Sequence, residues 1–176
     1  MKMKKVWLLI CVFGFVWWSC EPPRSYSEIP EINFKSLVFK YVTTGFGTDE
    51  LMAVLNISFV DGDGDIGVMY RFDTISRIHY TWHTKLPDMT YETYQFPDTT
   101  INSAEIPYGD VMNKDDAYNK TLKGTIKIAL PPPTETQGID TMRIEFYIVD
   151  RARNKSNIAH TPDFSILNPP AEPITK

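Results

Sequence analysis

The sequence predicts an all-β domain of the sandwich type. Short runs of alternating apolar and polar residues recur along the chain, and glycine, proline and aspartate residues separate them. No stretch shows the long 3.6-residue period of an amphipathic helix. Alternation with a period of two gives each strand one apolar face, which two packed sheets can bury between them. We expect about seven strands.

The predicted strands follow one another in chain order. In each of them alternate residues form an apolar face, as Leu55, Ile57 and Phe59 do in the second. In the third strand, Trp82 takes the position of the buried tryptophan of an immunoglobulin-like sandwich; a partly open barrel is the alternative. The runs cover residues 31–41, 51–60, 76–85, 90–96, 124–131, 142–150 and 163–167.

The first strand changes phase near Ser36. Ile32 and Phe34 belong to one alternation, whereas Leu37 and Phe39 belong to the other. A slip of one residue indicates either a β-bulge or a strand that moves from one sheet to the other.

The N-terminus has the composition of an export signal. A basic start, MKMKK, precedes an uncharged apolar run, VWLLICVFGFVWW, which is short for a membrane span. A serine then precedes Cys20, and this pair resembles the lipobox of bacterial lipoproteins, with Trp17 where that family usually has an aliphatic residue. The resemblance implies cleavage before Cys20 and acyl chains such as palmitate on it. The alternative is an ordinary secretory signal with a chance cysteine.

These features divide the chain into four parts. We expect a signal peptide at 1–19, a proline-rich tether at 20–28, the sandwich at 29–167 and a loose tail at 168–176. Because Cys11 lies within the signal, the exported chain keeps no thiol for a disulfide or a zinc site. Removal of the three signal lysines leaves 15 of 18 basic residues against 22 acidic ones, without a basic cluster, so we expect no nucleic-acid partner.

Two motifs carry a second resemblance. SFVDGDGDIG at 58–67 and FYIVDRARNKSN at 146–157 are similar to segments of small Bacteroidota outer-membrane lipoproteins with a single immunoglobulin-like domain. Arg153 stands where the second motif often has glycine. The resemblance implies a lipid-anchored, non-enzymatic protein of the outer membrane. Its position on the surface or on the periplasmic face is left open.

The acidic loop after the second strand is the candidate metal site. Counting from Asp61 places Ile66 and Phe72 where an EF-hand requires Gly and Glu, which excludes an EF-hand. In an immunoglobulin-like sandwich this loop meets the loop after the MRIEFYIV strand at the end where the tether begins, so we expect both loops to face the membrane or an adjacent membrane protein. Two interpretations remain: a structural Ca²⁺ site, or a Gly-Asp turn whose charge nearby Arg and Lys residues balance. The candidate ligands are Asp61, Asp63, Asp65, Asp150 and Asn154, and the basic neighbours are Arg151, Arg153 and Lys155.

Few residues suit catalysis. His79 and His83 share one strand face but lie about 13 Å apart, and the sequence has no nucleophile elbow and no phosphate-binding glycine loop. We therefore expect a non-enzymatic accessory or interaction subunit of an outer-membrane protein complex. The alternative is a surface lipoprotein that binds glycans through exposed aromatic rings, for which the candidates are Tyr91, Tyr94, Phe96 and Tyr108.

Overall fold

A computed structural model confirms the all-β prediction. It describes residues 26–43, 45, 47–67, 77–96, 103–105, 121–133, 138 and 140–175. The predicted signal peptide and Cys20 lie outside these ranges. Within them every regular element is a β-strand, and the strands form two antiparallel sheets. None of the described residues belongs to a helix long and apolar enough to cross a membrane.

Ten strands are present in the described ranges. In chain order they are β1 (Glu31–Thr43), β2 (Asp49–Asp61), β3 (Arg77–Lys85), β4 (Tyr91–Thr93), β5 (Ser103–Glu105), β6 (Leu122–Leu130), β7 (Thr141–Val149), β8 (Ala159–His160), β9 (Phe164–Ser165) and β10 (Ile174–Thr175).

The order of the strands matches that of an immunoglobulin-like sandwich. One sheet has the order β10-β1-β2-β6, and β1, β2 and β6 correspond to strands A, B and E of that fold. The other has the order β4-β3-β7-β8, with β5 paired to β3 and β9 to β7. The pair β3 and β7 corresponds to strands C and F. β10 lies in the segment expected to be a loose tail, where Ile174 pairs with Leu37.

The core lies between the two sheets, as the alternation predicts. Both β3 and β7 alternate strictly between buried and half-buried residues along their whole length. Trp82 is 1% exposed and contacts Phe164 edge to face, with ring centroids 5.9 Å apart. Burial of such large apolar side chains supplies the main stabilisation of a domain that has no disulfide to rely on.

β1 contains a β-bulge, which is one of the two interpretations of its change of phase. Phe34 pairs with Ile57, but Ser36 pairs with the next residue of β2, Asn56, so Lys35 is the extra residue. Because β1 stays beside β2 along its whole length, it does not move between sheets. The bulge lets the apolar residues on both sides of it face the same core.

Two short connections, β1–β2 and β3–β4, lie at the end of the sandwich that is remote from the acidic loop. In the β3–β4 turn, the N–H of Leu86 donates to the carbonyl oxygen of Thr90 at 2.9 Å, and Met89 takes a positive φ of 69°. In the β1–β2 connection, a Cβ added at Gly45 or Gly47 would meet no atom within 4 Å. Gly45 and Gly47 therefore have open space around them.

Candidate metal centre

The loops after β2 and β7 meet at one end of the sandwich. Asp61, Asp65 and Asp150 each place one carboxylate oxygen so that the three oxygens lie within 4.8 Å of one another. Asp61 and Asp150 are 0% exposed. The structure therefore brings together three of the five residues that the sequence singles out, from loops 85 or more positions apart in the chain.

The loop at 61–67 curls around the carboxylate of Asp61. Its Oδ2 accepts hydrogen bonds from the backbone N–H groups of Asp65 at 2.8 Å and Ile66 at 3.1 Å. Gly64 and Gly67 adopt positive φ angles of 71° and 106°, which suit glycine because it has no Cβ. The buried side chain of Ile66 holds the loop on the core.

The loop at 150–154 is built in the same way. Oδ1 of Asp150 accepts a hydrogen bond from the N–H of Asn154 at 2.7 Å. Arg153 has a positive φ of 71°, so this non-glycine residue adopts the left-handed conformation that glycine favours. The chain therefore keeps a tight turn here although Arg153 stands in the place of glycine.

Two hydrogen bonds join the loops. Oδ2 of Asp65 accepts from the N–H of Ala152 at 2.7 Å, and Nε of Arg151 donates to the carbonyl oxygen of Asp65 at 2.8 Å. This Nε bond goes to the backbone and not to a carboxylate. Nζ of Lys155 lies 3.8 Å from the ring centroid of Tyr147, so this ammonium group faces an aromatic ring.

Half of the oxygens in the cluster are satisfied and half are not. In each of Asp61, Asp65 and Asp150, one carboxylate oxygen accepts a backbone hydrogen bond. The other oxygen of each is buried and has no hydrogen-bond partner among the described residues. Oδ1 of Asp63 is also buried without a partner there. Four such oxygens are costly, because a buried acceptor that has lost water needs a donor or a cation in its place.

The pKa values of the aspartates in the cluster show the cost of burying their carboxylates. Burial, together with the nearby carboxylates of Asp63 and Asp65, raises the pKa of Asp61 to about 7 although the hydrogen bond from the N–H of Ile66 opposes this shift. Burial, followed by the Asp150 carboxylate, raises the pKa of Asp65 to about 6. Burial likewise raises the pKa of Asp150. The Arg151 guanidinium lowers the pKa of Asp65 but does not offset the effect of burial, so the ionised form of the cluster is disfavoured without a further positive charge.

The segment that leads into β1, residues 26–30, packs on the same loops. The N–H of Gly62 donates to the carbonyl oxygen of Ser27 at 2.8 Å. Nδ2 of Asn154 points at the carbonyl oxygen of Glu28 at 3.5 Å, so this side-chain amide faces the incoming segment. As the sequence predicts, the tether side and the acidic loops share one end of the domain.

The histidines and aromatic residues lie elsewhere. His79 stacks on Tyr147 on the outer face of the second sheet, with ring centroids 4.8 Å apart. Tyr94 and Phe96 contact each other and pack against the core, which favours a structural role over glycan stacking. Tyr91 donates its hydroxyl to Asp163 at 2.7 Å. Tyr108 lies outside the described residues.

The apolar cavity at the remote end has no signal in the sequence. Its volume is about 410 Å³. It forms where the start of β2 meets the proline run after β6, a junction that no local pattern specifies. The cavity is lined by Phe39, Glu50, Leu51, Met52, residues 131–133 and Ile166.

Comparison with known proteins identifies no relative of this chain. No family model matches the chain, and neither a curated protein nor a solved structure matches it.

Proposed function

We propose that this chain is a non-enzymatic, lipid-anchored accessory subunit of an outer-membrane protein complex, and that a structural calcium ion closes the tether-side end of its sandwich. The lipid anchor and the membrane location rest on the N-terminal motif at Cys20 and on the two segments that resemble outer-membrane lipoproteins. The calcium ion rests on the geometry of the acidic loops.

One observation carries the calcium site: four buried carboxylate oxygens lack a hydrogen-bond partner among the described residues. Calcium binds oxygens at about 2.3–2.6 Å, so two oxygens on opposite sides of one ion are roughly 4.6–5.2 Å apart. The three oxygens of Asp61, Asp65 and Asp150, within 4.8 Å of one another, fit around one such ion. Asp63 would supply a fourth carboxylate.

The ligand chemistry favours calcium over other divalent ions. The cluster offers carboxylates without a histidine or cysteine, and zinc in proteins usually takes nitrogen or sulfur ligands. Magnesium keeps several of its waters and rarely uses a cage of several protein carboxylates, whereas calcium accepts six to eight oxygens in variable geometry. A buried site of several loop carboxylates therefore suits calcium best.

A structural role is more consistent with the site than a catalytic one. Asp61 and Asp150 are fully buried, and one oxygen of each is used to hold its own loop. A catalytic metal keeps an open position for substrate, whereas a structural ion is enclosed by its ligands. The ion would join the two loops at the place where four carboxylates otherwise repel.

Calorimetric titration tests the site. The exported chain, stripped of metal with a chelator, should bind one Ca²⁺ per chain, and Asp65→Asn or Asp150→Asn should weaken binding at least tenfold. Asp163→Asn is the matched control, because Asp163 pairs with Lys85 at 2.7 Å on an exposed part of the domain. An unchanged melting temperature in EDTA, together with the absence of binding heat, would refute the site.

Purification from detergent-solubilised membranes tests the accessory role. We expect the lipidated chain to co-purify with a membrane protein in a fixed ratio. A chain that elutes alone and is retained on a glycan array would instead support the glycan-binding alternative. Protease treatment of intact cells, with lysed cells as the control, assigns the domain to the surface or to the periplasm.

A further inference from the structure

We propose that the calcium ion also fastens the end of the tether. Its binding holds residues 26–30, the segment that leads into β1, against the sandwich, and its loss releases them. This inference rests on the calcium site proposed above and assigns a regulatory role to it. The ion would then determine how far the domain reaches from its membrane anchor.

The first contact between tether and site is at Gly62, between two of the proposed ligands. Its N–H donates to the carbonyl oxygen of Ser27 at 2.8 Å. A Cβ at this position would lie 2.3 Å from that oxygen and 2.5 Å from the carbonyl oxygen of Tyr26. The incoming backbone therefore lies directly on the loop, closer than any residue with a side chain would allow.

The second contact comes from the other loop. Asn154 is tied to the site because its N–H donates to Oδ1 of Asp150 at 2.7 Å, and its side-chain amide faces the carbonyl oxygen of Glu28. Each of the two metal loops thus contributes one contact to the incoming segment. A third contact, between Lys123 of β6 and the ring and hydroxyl of Tyr26, is independent of the loops.

These contacts depend on the positions of the loops at 61–67 and 150–154. Without a cation, ionised carboxylates at this separation repel one another, and the backbone that carries them relaxes away from the cluster. Gly62 and Asn154 move with that backbone, because the first is flanked by Asp61 and Asp63 and the second is bonded to Asp150. The contacts at Ser27 and Glu28 are therefore lost together.

Loss of the ion would change the distance that the domain can extend from its membrane anchor. Five residues separate Cys20 from Tyr26, and at about 3.1 Å per residue they span roughly 15 Å when extended. Release of residues 26–30 adds about the same length again. The calcium-loaded domain is therefore held close to the anchor with its loops toward the membrane, and the calcium-free domain is free to turn.

A spin label tests the inference on the lipidated chain in detergent. Because the thiol of Cys20 is acylated, Glu28→Cys offers a single reactive thiol, and the side chain of Glu28 is exposed. We expect the label to be immobilised in Ca²⁺ and to become several-fold more mobile in EDTA. A label at Lys127→Cys, exposed on β6, should report no change and so exclude global unfolding.

A second variant separates the fastening from the binding of the ion. Gly62→Ala should leave the label at position 28 mobile even in Ca²⁺ and, because linkage is reciprocal, should lower the calcium affinity several-fold at unchanged stoichiometry. Gly45→Ala, whose added Cβ meets no atom within 4 Å, should change neither quantity. Calcium binding by calorimetry with equal label mobility in Ca²⁺ and EDTA overturns the fastening alone. Absence of calcium binding overturns the site and the fastening together.

Discussion

The carboxylate of Asp65 accepts a hydrogen bond from the backbone N–H of Ala152 at 2.7 Å. This bond joins the loop after β2 to the loop after β7, one from each sheet of the sandwich. The oxygen that accepts it is not the one that is buried without a partner. Asp65 can therefore bridge the two loops and still offer a ligand to a cation between them.

The stability of the calcium-free protein should fall as the pH rises. A carboxyl group whose pKa is raised in the folded state contributes its full stabilisation below its ordinary pKa of 3.8, and this contribution is lost as the pH rises through the folded value. For Asp65 and Asp61 these values are about 6 and about 7. Urea unfolding in EDTA between about pH 5 and about pH 8 should show this loss.

Calcium should reverse that dependence. Because calcium binds the ionised carboxylates, the stabilisation that it adds should grow over the same pH range. Parallel unfolding series in EDTA and in Ca²⁺ measure the difference directly. Two curves that run parallel across the range would contradict the prediction.

Asn157 should be important for stability although it lies outside every regular strand. Its Oδ1 accepts the N–H of Ile32 at 2.8 Å, and its Nδ2 donates to the carbonyl oxygen of Ile32 at 2.9 Å. The side chain thus pairs with β1 as a neighbouring strand would. Asn157→Ala should lower the free energy of unfolding by about 1–3 kcal/mol, because two backbone groups lose their partner. Ile158→Ala, at a neighbouring exposed position, is the control and should change it by less than about 0.5 kcal/mol.

Deletion of Lys35 should destabilise the domain far more than its substitution. Without the extra residue, one half of β1 must turn its apolar side chains outward, for example Ile32 and Phe34. Exposure of two such side chains costs roughly 3–6 kcal/mol. Lys35→Ala removes only an exposed hydrogen bond to Thr125 and should cost about 0.5 kcal/mol or less. Urea denaturation followed by the fluorescence of Trp82, the sole tryptophan after residue 18, measures both. Similar losses for the two variants would show that the bulge is dispensable.

Cys20 should be the point of lipid attachment. Cys20→Ser should abolish the incorporation of a labelled fatty acid and release the chain from the membrane fraction, because a single exported domain would keep no other acyl site. Cys11→Ser, within the apolar run, should leave the labelling unchanged. Persistent labelling of the Cys20→Ser chain would show that the acyl chains are elsewhere.

Local patterns predicted the large features of the fold because those features have a local cause. Alternation identified β3 and β7 and their buried faces, and the phase change near Ser36 indicated either a bulge or a change of sheet, of which the structure shows the bulge, at Lys35. The two-residue strands β8 and β10 could not be found this way, since two residues have no period, whereas β9 lies within the predicted run at 163–167. They form because long strands beside them offer unpaired backbone groups.

The candidate site, too, could be predicted from the sequence only in part. The topology of the sandwich predicted that Asp61, Asp65 and Asp150 would meet. It could not predict that Gly62 would contact Ser27, or that Asn154 would face Glu28, because the path of the incoming segment depends on contacts between residues far apart in sequence. A glycine flanked by aspartates indicates a turn, and only the packed structure shows that it also makes room for another backbone.

The short turns at the remote end have a consequence for how this domain can vary. Among the described residues, none of the hydrogen bonds that hold the acidic loops or residues 26–30 comes from the β1–β2 connection around Gly45 or from the β3–β4 turn at 86–90. Insertions there lengthen exposed connections, which costs little stability. In the proposed lipid-anchored protein, a peptide epitope grafted at Gly45 would be displayed away from the membrane, because residues 26–30 lie at the opposite end of the domain.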